Sequence, residues 1–308
     1  MRLFVAQRTL ILVPTFLGVT LFSFLLIQSI PGDPVLVMLG EHATAEEHER
    51  LSRLLGLDEP LAAQYGRYLY RLLLGDWGTT IRGDTQVFPL VIRRLWVTLE
   101  LVIASTVIAG LLGILLGALS GLLPNSIFDK FVRGTTLFAF SIPTFWLGLV
   151  LILIFAVWLD WFPSLGRGTL SHMVMPVATL AAWQLGLIAR TARISVIDTL
   201  SQDFIVTARG KGLGVPRITL RHILPNSIIP VITIIGLQFG GLIGGAVVTE
   251  VVFSYPGLGL LIVNNIFARD YPVVQGAIVL SAVAFMIINF ASDLAYAWLD
   301  PRIRRQGA

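Results

Sequence analysis

The chain contains no cysteine, and its four histidines, His42, His48, His172 and His222, lack the close spacing of a metal-ligand set. Disulfides, thiolate metal sites and cysteine nucleophiles are thereby excluded, and no metal site is expected. Charge is scarce as well: 13% of the 308 residues are Asp, Glu, Lys or Arg, against roughly 25% in an ordinary soluble domain. Hydrophobic residues make up 56% and the mean hydropathy is +0.83. Several apolar runs approach the roughly 20 residues that cross a bilayer, too many for one buried core to hold. The chain reads as an all-α, polytopic membrane protein.

Six spanning helices are expected, near 9–30, 97–123, 135–159, 173–192, 227–250 and 273–299. The start of the chain, with Arg2 and Arg8, superficially resembles a secretory signal. Its apolar run is longer than a signal core and no small-residue cleavage site follows, so it reads as a retained first helix. An even number of spans puts both termini on one side. Arg2, Arg8, Lys130, Arg133, Arg190, Arg193, Arg209, Lys211, Arg217, Arg221, Arg302, Arg304 and Arg305 fall on that side, whereas the opposite short loops hold Arg167 and Arg269. By the positive-inside rule both termini are expected in the cytoplasm of a plasma (inner) membrane. The net charge of +4 thus reports orientation and gives no sign of nucleic acid.

Three parts follow: an anchor helix with an extracytoplasmic segment (1–93), a core of five spans (94–300) and a cytoplasmic tail (301–308). The outer segment, about 31–95, carries Glu41, Glu46, Glu47, Glu49, Asp58 and Glu59, with helix-like stretches near 45–55, edged by Leu51, Leu54 and Leu55, and near 61–74. It is a solvated lid or spacer, or else touches substrate. The cytoplasmic segment, about 194–226, reads as two short helices divided by Gly210, Gly212 and Gly214, with Leu200, Phe204 and Ala208 on one face and Pro216 in the first turn of the second helix. Between 253 and 272 a short apolar run suggests a small interfacial helix on the outer side.

Catalytic constellations are missing. Arg209-Gly210-Lys211-Gly212 lacks the spacing and the preceding strand of a phosphate-binding loop, so any ATP must be hydrolysed by another chain. No His-Glu-x-x-His helix and no Gly-x-Ser-x-Gly elbow occurs. An ion-coupled carrier, the alternative function, would place carboxylates or histidines in mid-membrane, yet Glu100, Arg190, Glu250 and Asp293 all lie toward helix ends. Each is either a structural residue, paired or snorkelling, or part of a transport route. Glu250 is the best pathway candidate, with Gln238 before it on the same helix. Between them, Gly240, Gly241, Gly244 and Gly245 read as close-packing positions, with a flexible gate the alternative. Pro143 and Pro176 suggest kinks.

The cytoplasmic segment resembles the EAA loop of ABC importer permeases. Thr207-Ala208-Arg209 stands at the Glu-Ala-Ala position, Gly212 at its glycine and Leu224-Pro225 at the later Leu-Pro, while Thr207, Arg209 and His222 depart from the pattern. Further motifs occur in order: Ile30-Pro31-Gly32-Asp33-Pro34, Gly75-Asp76-Trp77-Gly78, Phe253-Ser254-Tyr255-Pro256-Gly257-Leu258-Gly259, Arg269-Asp270-Tyr271-Pro272-Val273 and Asp300-Pro301-Arg302-Ile303-Arg304. Together they resemble the B-type permease of the peptide/nickel ABC importers along nearly the whole chain.

That resemblance implies a type I importer permease that forms half of a translocation pathway, with dipeptides or oligopeptides the expected cargo. It implies a second homologous permease, two cytoplasmic ATPase subunits that use ATP and Mg, and an extracytoplasmic binding protein, with no cofactor and no catalytic residue on this chain. Leu200, Asp203, Phe204, Thr207, Ala208, Arg209, Gly212, Leu224 and Pro225 become candidates for the ATPase-coupling loop. The arginines there either pair with acidic groove residues or enforce topology, and Asp203 either touches the ATPase or favours the helix start. Asp33, Arg269, Asp270 and Tyr271 become candidates for docking the binding protein, although Pro31-Gly32-Asp33-Pro34 also reads as a plain turn.

Overall fold

A computed structural model describes residues 2–29, 44, 46, 49, 52, 58–81 and 83–299. Among these residues the secondary structure is helical apart from one bridge pairing Thr79 with Gln86. Five helices are long and apolar enough to span a membrane, Arg8–Gln28, Val87–Leu122, Ser171–Leu200, Val215–Val252 and Tyr271–Leu294. A sixth span is obtained if a sharply bent pair counts as one. The chain divides into two compact units, one of residues 6–97 and 256–286, the other of 1–5, 98–255 and 287–308.

In the smaller unit, α1 (Arg2–Gln28) is followed by α2 (Leu61–Leu73). Phe24 of α1 lies 5.7 Å from the Tyr65 ring and 6.1 Å from the Tyr68 ring of α2. The Thr20 and Tyr65 hydroxyls are hydrogen-bonded at 3.0 Å, and Gln28 Nε2 donates to Gln64 Oε1 at 3.0 Å. The Gly75-Asp76-Trp77-Gly78 motif is a turn: both glycines have left-handed backbones, φ 84° and 80°, and the Gly78 N–H donates to Asp76 Oδ1 at 3.1 Å. The turn leads into α3 (Val87–Leu122), of which residues 87–97 belong to this unit and the rest to the larger one; later in the chain come α10 (Leu258–Ala268) and α11 (Tyr271–Leu299), the latter belonging to this unit up to residue 286. The expected helix near 61–74 is α2 and the expected short helix within 253–272 is α10. The stretch near 45–55, with Leu51, Leu54 and Leu55, lies outside the described residues except at isolated positions.

The larger unit holds α4 (Ile127–Ser141), α5 (Thr144–Leu151), which continues as a π-helix over Ile152–Trp158, and α6 (Ser171–Leu200). After them come α7 (Asp203–Gly210), α8 (Val215–Ile218), a π turn over Thr219–Ile223, and α9 (Leu224–Val252). The span expected as one helix over 135–159 is broken. Pro143 disfavours the helical conformation for Ile142, which is extended (φ −79°, ψ 130°), and α4 and the α5 continuation meet at 104°.

Helix packing in this unit is set by a glycine stripe the sequence reading passed over. A Cβ added at Gly113 would lie 2.7 Å from Ile188 Cγ2, one at Gly117 would strike the Ala189 carbonyl, and one at Gly121 would lie 2.8 Å from the Arg193 carbonyl. Three glycines at four-residue spacing thus let the backbones of α3 and α6 approach. Of the glycines expected to pack closely on α9, Gly240 does so, against Asn289, whereas Gly241, Gly244 and Gly245 meet nothing within 4 Å.

Candidate functional site

The segment after α6 is built from a core outward. Ile205 and Ala208 of α7 are buried in a cluster with Ala118, Val196, Ile218 and Ile223, against which Leu122, Leu200, Leu213 and Leu224 pack. The apolar edge expected from Leu200, Phe204 and Ala208 is therefore split. Leu200 and Ala208 pack inward, while Phe204 is 43% exposed beside exposed Val206, Thr207 and Arg209. The reason is local: α6 ends at Leu200 and α7 starts at Asp203, so helical spacing cannot be counted across the break.

Asp203 occupies the first turn of α7, where a carboxylate complements the helix dipole. The far end is closed by Gly212, with φ 75°. Its N–H donates to the Arg209 carbonyl at 2.9 Å, and the Leu213 N–H donates to the Ala208 carbonyl at 3.3 Å. These are the paired bonds of a left-handed C-terminal cap, completed by the apolar contact of Leu213 with the Ala208 cluster. Arg209, Lys211, Arg217 and Arg221 are all exposed.

The second short helix does not end near Asn226, as the sequence suggests. Val215 to Val252 forms one continuous 38-residue helical stretch, with Pro216 in the first turn of α8. Leu224 and Pro225 therefore belong to the foot of a spanning helix. Pro225 has no N–H to donate back toward Arg221, and the π turn widens the helix over that same stretch.

The two pathway candidates are both buried. Glu250 accepts a hydrogen bond from Thr98 Oγ1 at 2.5 Å, and Gln238 has neither amide atom hydrogen-bonded among the described residues. Twelve residues of helix separate them, about 18 Å, so the fold does not bring them together. Glu100 is paired with Arg167, whose Nη2 reaches both carboxylate oxygens at 2.9 and 2.7 Å. This contact holds the Arg167 guanidinium above its ordinary pKa.

One carboxylate was missed altogether. Asp129 is fully buried and accepts from Arg193 Nε at 2.6 Å, Arg193 Nη2 at 2.9 Å, Ser120 Oγ at 2.6 Å and the Asn125 N–H at 2.9 Å. The available signal was Ser126 three residues before it. Ser126 caps α4 by accepting from the Asp129 N–H at 3.0 Å.

Among the docking candidates, Asp33 lies outside the described residues. Arg269 is exposed with a left-handed backbone, φ 56°. Asp270 and Tyr271 are buried, and Asp270 Oδ2 accepts from the Ile81 N–H at 3.0 Å. Of the three described candidates, Arg269 alone is exposed in this chain.

Comparison with known proteins places this architecture. Residues 113–305 match the family described as binding-protein-dependent transport system inner membrane component, and residues 1–102 match the N-terminal part of such membrane components. The chain is 39% identical to the di/tripeptide transport system permease protein DppB of Pseudomonas aeruginosa, over 98% of this chain and 99% of that one. It is 38% identical to the oligopeptide transport system permease protein AppB of Bacillus subtilis, with the same coverage. With the glutathione transport system permease protein GsiC of Salmonella paratyphi A the identity is 39%, over 98% of both chains. Among solved structures, an inward-facing MetNI methionine ABC transporter superposes with a TM-score of 0.56 at 20% identity, over 70% of this chain and 98% of that chain, which shows a shared fold. With its apolar spanning helices and full-length relatives, the chain belongs to the family of binding-protein-dependent transport system inner membrane components and is a permease subunit of an ABC importer.

Proposed function

We propose that this subunit lines half of an import route for short peptides and takes its power stroke through α7. The observation that carries the reading is the two-sided build of α7: Ile205 and Ala208 are fastened into the helical core, while Phe204, Val206 and the basic residues face outward. A helix held rigidly on one face transmits a push from its other face to α6 and α9, whose ends share the same cluster. In this reading Phe204, Thr207 and Arg209 contact an ATP-hydrolysing subunit, Asp203 favours the start of α7, and Gly212 turns the chain away. Leu224 and Pro225 carry the displacement into α9, and Gln238 and Glu250 are the polar groups along the route.

The assembly comprises a second, homologous permease, two cytoplasmic ATPases that hold ATP and Mg, and an extracytoplasmic binding protein, with both termini of this chain in the cytoplasm. The open face of α9 at Gly241, Gly244 and Gly245 suits close approach of the second permease. Peptide cargo is supported by the names of the di/tripeptide and oligopeptide relatives. The chain itself performs no catalysis. The test is uptake of a labelled dipeptide into vesicles containing the whole assembly. Uptake should require ATP and the binding protein, and Phe204→Ala should reduce it at least several-fold with normal membrane insertion. Transport by the chain alone, driven by an ion gradient, would overturn the reading.

A further inference from the structure

A groove of about 430 Å³ runs between α4 and α6, apart from the α7 segment and from Glu250 and Gln238. The two helices run antiparallel here, since Asp129 meets Arg193 while Phe140 lies against Trp183, rings stacked with centroids 6.1 Å apart. The groove is consequently different at its two ends. Arg133, Arg190 and Arg193 line one end, and Leu137, Phe140 and Leu187 line the wall toward the other. From Arg133 to Phe140 is seven helical residues, about 10 Å. Gly186 closes the apolar end, because a Cβ there would lie 2.7 Å from the Thr136 carbonyl oxygen, so the two backbones touch.

The charged end is not neutralised from within. Asp129, the carboxylate at this end, is committed to Arg193 through two short bonds. Arg133 approaches it only at 3.7 Å and is half exposed, and Arg190 is exposed and makes no ion pair among the described residues. Three guanidiniums against one carboxylate leave two positive charges in excess at the mouth of an apolar groove: Arg193 is held by Asp129, while Arg133 and Arg190, the latter one helical turn from Arg193 on α6, have donors to spare. A planar guanidinium donates well to the paired oxygens of a phosphate. The positive-inside distribution sets this end at the cytoplasmic headgroup layer.

We propose that the groove holds one anionic phospholipid, with its headgroup phosphate on Arg190 and Arg133 and an acyl chain along Leu137, Leu187 and Phe140. A free anion would use the arginines and leave the apolar wall idle, whereas a zwitterionic lipid would leave the excess charge unmatched. Asp129 is the positioning residue, since it fixes Arg193 and with it the spacing of α4 from α6.

The experiment is native mass spectrometry of the assembled transporter in mild detergent, titrated with phosphatidylglycerol or phosphatidylcholine. Phosphatidylglycerol should bind in preference, and Arg133→Gln with Arg190→Gln should weaken it about tenfold, the loss expected for charge-assisted hydrogen bonds. Arg190→Lys should restore part of that affinity, and Arg217→Gln, outside the groove, should leave it unchanged. Equal binding of the two lipids, or no loss in the double variant, would overturn the proposal. So would displacement of the lipid by millimolar dipeptide or inorganic phosphate, which would make the groove a site for cargo carboxylates or free anions. ATP-driven uptake measured on the same preparation keeps this outcome separate from the cargo and coupling reading.

Discussion

Two short helices in this protein, α7 and α10, end in the same hydrogen-bonded cap, built from different residues for different ends. After α7 the left-handed position is Gly212, and after α10 it is Arg269. In the second case the Arg269 N–H donates to the Ile266 carbonyl at 3.2 Å and the Asp270 N–H to the Asn265 carbonyl at 2.9 Å, the same pattern seen at Gly212. A side chain in the left-handed region costs roughly 1–2 kcal/mol. At Arg269 that cost is offset by the neighbouring Asp270, which is buried and bonded to the Ile81 N–H. Residues 210–212 are exposed, and no Cβ contact lies within 4 Å of Gly212 to hold the turn. The comparison teaches that a turn exposed at the surface relies on glycine, whereas a turn packed against its own chain tolerates arginine.

Three substitutions would break or sharpen that contrast. The largest effect is expected from Asp270→Ala, which removes a charge-assisted bond that a buried carboxylate accepts from the partly buried Ile81 N–H. Thermal unfolding of the detergent-purified assembly should report a loss of about 2–3 kcal/mol, and an unchanged midpoint would mean that packing alone holds the turn. Next comes Gly212→Asp. Nothing would collide with the new Cβ, so the expected cost is the backbone term alone, about 1–2 kcal/mol, with insertion intact and ATPase co-purification reduced. Normal co-purification would remove Gly212 from the coupling turn. The smallest effect, and one of opposite sign, is expected from Arg269→Gly, which should stabilise by up to about 1 kcal/mol by relieving the left-handed strain. Destabilisation would show that the Arg269 side chain makes a contact worth more than its strain.

Much of this was legible in the residue order. Long apolar runs have one outcome in a bilayer, because backbone polar groups must be satisfied within the helix, and five of the expected spans correspond to continuous helices. Proline and glycine act locally, so the break at Pro143 and the turn at Gly212 could be foreseen as a kink and a stop. The angle at Pro143 and the extension of α8 into α9 depend on neighbouring helices and could not be foreseen. The face of α7 was misjudged because periodicity holds only within one helix, and two residues of turn after Leu200 reset it. Asp270 and Tyr271 looked like surface polar groups in a turn motif. Only the fold shows both buried, with Asp270 accepting from the Ile81 N–H, 189 positions earlier in the chain.

The sequence by itself determined that this chain lives in a membrane and which transport family it resembles, because hydrophobic length and local motifs are additive along a chain. The tertiary structure decided which charges are spent internally. Asp129, Glu250 and Asp270 carry the same charge in the sequence, yet one locks two helices through Arg193, one takes a threonine hydroxyl, and one clamps a distant turn. In a low-dielectric interior a carboxylate is stable only with partners, and those partners lie 64, 152 and 189 residues away along the chain.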